Sequence, residues 1–224
     1  MKKVIITGAS GMVGKGILLE CLEHPEIHEV LVIGRNPIGL EHPELKELLH
    51  KDFASFAEVS SSLKGYDACF FSLGISAAGL TEAQYKQITY DFTMALATTL
   101  FTLNPQMTFN YVSGVGTDST EKGRMMWARV KGKTENDLLK LGFKQAYMFR
   151  PGAIIPQRGI KSRTKAYQFM YDHFMWLVKA IKTISPNSVV TTTQIGQAMI
   201  NAMLKGYEKK VLAPKDILAL ASRK

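Results

Sequence analysis

An open, doubly wound α/β sheet of parallel strands is the fold this sequence predicts, and three observations predict it. Short apolar runs alternate with longer amphipathic ones along most of the 224 residues, the order that builds strand, helix, strand units. The first apolar run, residues 3–6, ends in glycines at positions 8, 11 and 14, so the chain turns tightly from strand into helix. The run from Asp67 to Ser72 is apolar without alternation, which suits a parallel strand covered on both faces.

The elements follow in order. Val13, Ile17, Leu18, Cys21 and Leu22 share one face of a first helix that should stop near His24, because Pro25 disfavours helical geometry in the residue before it. A second strand, Glu29 to Ile33, ends in Gly34-Arg35-Asn36, and a third lies within Leu45 to Lys51, ending at Asp52-Phe53. A polar helix around Ser55 to Leu63, closed by Gly65, leads to the fourth strand and its exit at Leu73-Gly74. Thr81-x-x-Gln84 is a capping box, and Tyr85, Ile88, Phe92, Leu96, Thr99 and Leu103 then recur at helical spacing until Asn104-Pro105. Tyr85 and Tyr90 read as packing residues of that helix. Met107 to Ser113 is the fifth strand, Met125 to Leu141 a helix closed by Gly142, and Ala146 to Arg150 the sixth strand. Right-handed crossovers then give the sheet order 3-2-1-4-5-6.

Beyond Pro156 the pattern changes. A polar, basic stretch from Gln157 to Lys165 precedes Tyr167, Met170, Tyr171, Phe174, Leu177, Val178 and Ile181 at helical spacing, read as a substrate-side cap or as ordinary packing. A helix over Thr191 to Leu204, a short strand at Val211-Leu212 and a helix opened by Pro214 close the chain. The whole is expected to be one domain, with residues 1–156 as its dinucleotide-binding core and 157–224 as cap and closing elements.

Composition bounds the partners. Lys and Arg number 28 against 19 Asp and Glu, a net charge of +9 that raises nucleic acid or a membrane surface as partners. The cations are dispersed apart from Arg158, Lys161, Arg163, Lys165 and a lysine-rich C-terminal end, and no nucleic-acid motif accompanies them. A small-molecule substrate is therefore expected, with no specific nucleic acid and no membrane partner, and a homo-oligomer is left open. Cys21 and Cys69 read as core residues without metal-ligand spacing, so no metal is expected. With no apolar leader or membrane-length span, the expected location is cytoplasmic.

The glycine spacing between strand and helix, which would also suit a purely structural turn, reads as a phosphate cradle. Gly8 lets the chain leave the strand, Gly11 lets backbone approach a pyrophosphate, and Gly14 lets the helix pack on the sheet, with phosphate on the helix N-terminus. Where a fold of this kind that uses NAD carries an acid after the second strand, this chain has Arg35, whose planar cationic fork suits a 2′-phosphate. NADP is expected in preference to NAD.

Thr7-Gly8-Ala9-Ser10-Gly11-Met12-Val13-Gly14 resembles the T-G-A-x-G-x-x-G of extended and atypical short-chain dehydrogenases/reductases. Val112-Ser113, Val130-Lys131-Gly132 and Phe149-Arg150-Pro151-Gly152 resemble the atypical branch that includes Tat-interacting-protein-like and epimerase-like oxidoreductases. The resemblance covers residues 1 to about 156. It implies cofactor contacts from Gly8, Ser10, Gly11, Met12 and Val13, adenine contacts from Asp52 and Phe53, and contacts along Leu73-Gly74, Lys131 and Pro151-Gly152-Ala153.

The resemblance also implies a Ser-Tyr-Lys set that handles the proton accompanying hydride transfer. Ser113 matches the Ser and Lys131 the Lys, while Trp127 stands in the Tyr position, four residues before Lys131 and on its helix face. An indole N–H only donates and does not titrate as a phenol does. Two functions are thus expected: an NADP-dependent oxidoreductase or epimerase-like enzyme for a small carbonyl or alcohol compound, or a non-catalytic, nucleotide-responsive binding protein.

Overall fold

In the computed structural model of the chain, which describes residues 1–160 and 186–223, seven parallel strands form one sheet. They are, in chain order, β1 (Lys2–Thr7), β2 (Ile27–Gly34), β3 (Leu45–Leu49), β4 (Ala68–Phe71), β5 (Thr108–Val112), β6 (Gln145–Phe149) and, after two strands outside this sheet, β9 (Val211–Leu212). Their order across the sheet is 3-2-1-4-5-6-9. The expected order is present, with a seventh strand from the last third laid beside β6. The two remaining strands, β7 (Ala153–Ile155) and β8 (Val189–Thr191), pair with each other in parallel.

Alternation along the strands sorts side chains between two cores. Val4, Ile6, Val30, Val32 and Phe70 face one side, where they meet helices α1 (Met12–Glu23), α5 (Thr192–Lys205) and α6 (Pro214–Ala221). Ile5, Leu31, Ile33, Cys69, Phe71, Phe109 and Tyr111 face the other, against α3 (Phe92–Leu103) and α4 (Met126–Lys140). Helix α5 runs along α1, burying Ile17, Leu18 and Cys21 with Ile195, Ala198 and Met199. Part of the last third therefore builds the core itself. The expected helix spanning Tyr167 to Ile181, with Lys161, Arg163 and Lys165 before it, lies outside the described residues.

Two expectations change. The stretch from Ser55 to Leu63 is not a helix apart from one 3₁₀ turn, Ser60–Leu63. Asp52 accepts from the Ala54 N–H at 2.9 Å and the Ser60 hydroxyl donates to the Ala57 carbonyl at 2.8 Å, so local side chains take the backbone bonds a helix would need. The crossover helix opens at its Thr81 box as α2 (Glu82–Lys86) but passes through a π turn, Gln87–Asp91, before α3. Tyr85 is buried in it, and the Tyr90 hydroxyl donates to Asp137 at 2.9 Å.

Candidate functional site

The site lies at the carboxyl ends of the parallel strands, where ligands bind in open α/β sheets. β1 leaves the sheet through Gly8 at φ +72, and a Cβ there would stand 2.6 Å from the Ser72 carbonyl oxygen. A Cβ at Gly14 would stand 2.2 Å from the Gly8 carbonyl oxygen, so α1 begins directly against the turn. Gly11 is the N-cap of α1, no side chain caps it and its first turn carries no acid. The N–H groups of that first turn are left for a ligand.

An open cleft of about 100 Å³ follows, lined by Gly8, Ser10, Gly34, Arg35, Asn36, Phe53 and Leu73 among others. No carboxylate lines it, and Arg35 makes no ion pair or side-chain hydrogen bond among the described residues. Phe53 is buried edge-on against Phe56, with centroids 5.6 Å apart, and so forms a fixed wall. Its neighbour Asp52 is exposed and engaged in the turn to Ala54, outside the cleft lining. Met12 and Val13 belong to the first turn of α1, and Gly74 opens the loop after β4 with no atom near where its Cβ would be.

The second part of the site is built by the end of β5, the loop after it, and α4. The Val115 N–H donates to the Pro151 carbonyl at 3.0 Å, which joins that loop to the exit of β6. A Cβ at Gly132 would stand 1.8 Å from the Asp118 carbonyl oxygen, so only glycine after Lys131 lets the loop lie on the helix. Trp127 lays the far edge of its indole on Gly116. Lys131, one turn further, donates from Nζ to the Ser113 carbonyl. Burial pushes its pKa down to about 8, against the opposing pull of the Glu135 carboxylate. Gly152 and Ala153 follow β6, and Gly152 meets the Ser188 carbonyl closely.

Ser113 is where sequence reasoning and geometry part. Alternation carries it, after Phe109 and Tyr111, onto the α4 side of the sheet, and there its hydroxyl donates to Glu135 Oε1 and to the Phe149 carbonyl, the latter at 3.2 Å. Glu135 is fully buried. Arg150 donates to it from Nε at 3.0 and 3.1 Å and from Nη2, and a further Nη2 bond reaches Ser119 Oγ at 2.6 Å. The sequence reading missed Glu135. Its signal was the acid one turn after Lys131, facing an arginine at the end of a buried strand.

The structure thus brings Gly8, Ser10, Arg35, Phe53 and Leu73 around one cleft, and Ser113, Trp127 and Lys131 around the β5 exit. A parallel sheet in this order with a glycine turn into α1 is the fold that short-chain dehydrogenases/reductases share, and Trp127 and Lys131 stand one turn apart on a single face of α4. No family model matches the chain. The chain belongs to the family of the fmp52 proteins: it is 30% identical over 165 residues to the mitochondrial fmp52 protein of Aspergillus fumigatus, covering 70% of this chain and 69% of that protein. It is also 28% identical over 159 residues to HTATIP2 of Rattus norvegicus, 70% of this chain and 64% of that one. Among solved structures, the Bordetella bronchiseptica enzyme WbmF in complex with NAD+ superposes with a TM-score of 0.68 at 14% identity, over 97% of this chain and 76% of that one, a likeness of fold. The expected cytoplasmic location does not stand, because fmp52 relatives are named mitochondrial. Composition carries too little information to fix a compartment. Among the described residues no helix is long and apolar enough to cross a membrane.

Proposed function

We propose that the chain binds NADP(H) and serves as an oxidoreductase for a small carbonyl or alcohol compound. The observation that carries the cofactor reading is Arg35, which has no ion-pair partner among the described residues and stands on the lip of a cleft that no described carboxylate lines. The residues fit the group: Gly8 and Gly14 bring the turn tightly against β4 and α1, Gly11 leaves open space where a Cβ would meet only the Gly8 carbonyl oxygen at 3.2 Å, and the start of α1 offers uncapped N–H groups to a pyrophosphate. Gly8, Ser10, Gly11, Met12 and Val13 would hold the phosphates, Phe53 the adenine and Arg35 the 2′-phosphate. The bound cofactor supplies hydride chemistry. Lys131, with a pKa about 8, is poised to hold or give a proton near neutral pH, the task a tyrosine would otherwise share.

A second reading has its own observation. Trp127 cannot exchange a proton and the Ser113 hydroxyl is committed to Glu135, which favours a protein that senses the dinucleotide without turning substrate over. In both readings the partner is a small molecule and the chain acts as one dinucleotide-binding domain.

Isothermal titration with NADPH and NADH tests the cofactor reading. Wild type is expected to prefer NADPH, and Arg35→Ala to lose at least tenfold of that preference, since charge-assisted bonds contribute roughly 1.5–3 kcal/mol. Gly11→Val is expected to weaken both cofactors in a folded protein, because its Cβ would meet nothing closer than the Gly8 carbonyl oxygen at 3.2 Å. An unchanged ratio in Arg35→Ala, or full affinity in Gly11→Val, would refute the assignment.

A further inference from the structure

We propose that Glu135 is a positioning residue for Lys131: clamped by Arg150 and holding the Ser113 hydroxyl, its buried carboxylate fixes the carbonyl to which Lys131 is bonded and holds the amine ready for the bound dinucleotide. The inference rests on the dinucleotide reading above and deepens it. Ser113 is bound at both ends, its hydroxyl by Glu135 and its carbonyl by Lys131, so one residue transmits the position of the carboxylate to the amine. Arg150 holds the carboxylate through both oxygens, which leaves Glu135 little freedom to turn away.

Among the described residues the charges around the amine are few. On its own helix, Glu135 lies one turn on and Trp127 one turn back is uncharged, while Lys133 is committed to Asp137 at 2.8 Å. From β5 it meets the Ser113 carbonyl, and from the end of β6 Arg150 acts through its ion pair with Glu135. From the loop after β5, the Asp118 carboxylate is spent on the Thr120 and Gly123 N–H groups at 3.0 and 2.6 Å. Glu135 is therefore the anion that offsets the desolvation of Lys131, and burial alone would lower its proton affinity further.

The test follows the Lys131 side chain in the ligand-free protein by ¹³C–¹H correlation of labelled lysine, assigned with Lys131→Arg. Glu135→Gln is expected to lower the Lys131 titration midpoint by about one pH unit. Because that variant leaves Arg150 without its partner, Glu135→Gln with Arg150→Gln removes both charges and provides the folded protein. NADPH affinity of the double variant should fall about threefold near pH 7.5 and be unchanged near pH 6, where the amine is protonated in both proteins. A purely structural role would give the same loss at both pH values, and an unmoved midpoint or a pH-independent loss overturns the proposal. A lowered midpoint with no NADPH binding even by wild type would support the hold of Glu135 on Lys131 and overturn the dinucleotide reading instead.

Discussion

Arg150→Ala is expected to lower the stability of the protein by about 3–5 kcal/mol, the usual cost of breaking a buried pair and leaving one charge behind. Glu135 is fully buried, and with the guanidinium gone its carboxylate keeps, among the described residues, one hydrogen bond, from the Ser113 hydroxyl. Ser119 also loses its bond to Nη2, so the loop after β5 is released from the end of β6 on that side. Against a typical stability of 5–15 kcal/mol this is a large fraction, worth roughly 6–20 °C in melting temperature for a chain of this size. Urea unfolding of wild type, Arg150→Ala and the pair Glu135→Gln with Arg150→Met measures it. The double variant should recover most of the loss, because an uncharged pair of similar volume needs no desolvated ion. A loss below about 1 kcal/mol in the single variant would show that water reaches Glu135 and that the clamp is weak.

The largest effect on activity is expected from Trp127→Tyr. The indole reaches Gly116 from a position one turn before Lys131, so a tyrosine there would bring a phenol to the same face. The depressed pKa of Lys131, about 8, leaves an amine that is partly cationic near neutral pH and would favour the phenolate. Steady-state NADPH oxidation with generic carbonyl compounds should rise, by up to the 10²- to 10⁴-fold that a positioned acid or base contributes. Ser113 would not assist, since its hydroxyl stays with Glu135, and the gain should fall toward the lower end. Lys131→Ala in the same background should abolish it. Fast wild-type turnover that Lys131→Ala leaves intact would refute the assigned site, and no turnover in any variant that still binds NADPH would favour the sensing role.

Most of the fold was legible because it rests on local signals. The glycine turn, the unbroken apolar strands and the capping box at Thr81 each act within a few residues, and each stands where the sequence puts it. The failed helix near Ser55 shows the limit: its polar side chains bond their own backbone, a competition that hydrophobic spacing does not register. The cleft side of the site was readable for the same reason, as Arg35 and Phe53 follow strands whose ends could be placed. Ser113 was read by its place in a motif, whereas its direction depends on strand parity and on a carboxylate 22 residues away. Contacts across that distance leave no periodic trace, which is why Glu135 and the seventh strand beside β6 escaped or were only partly foreseen.

The union of α1 with α5 also orders the life of the chain on the ribosome. The apolar side of α1, complete by Glu23, finds its covering helix only at Thr192, so the partner is made about 170 residues later. At 5–20 residues per second that is roughly ten to thirty seconds. Throughout that interval β2 to β6 can emerge and pair beside β1 while the apolar surface that α5 will cover stays exposed, a substrate for holding chaperones. Emergence of α5, more than any earlier nucleation step, is the event that closes this side of the sheet.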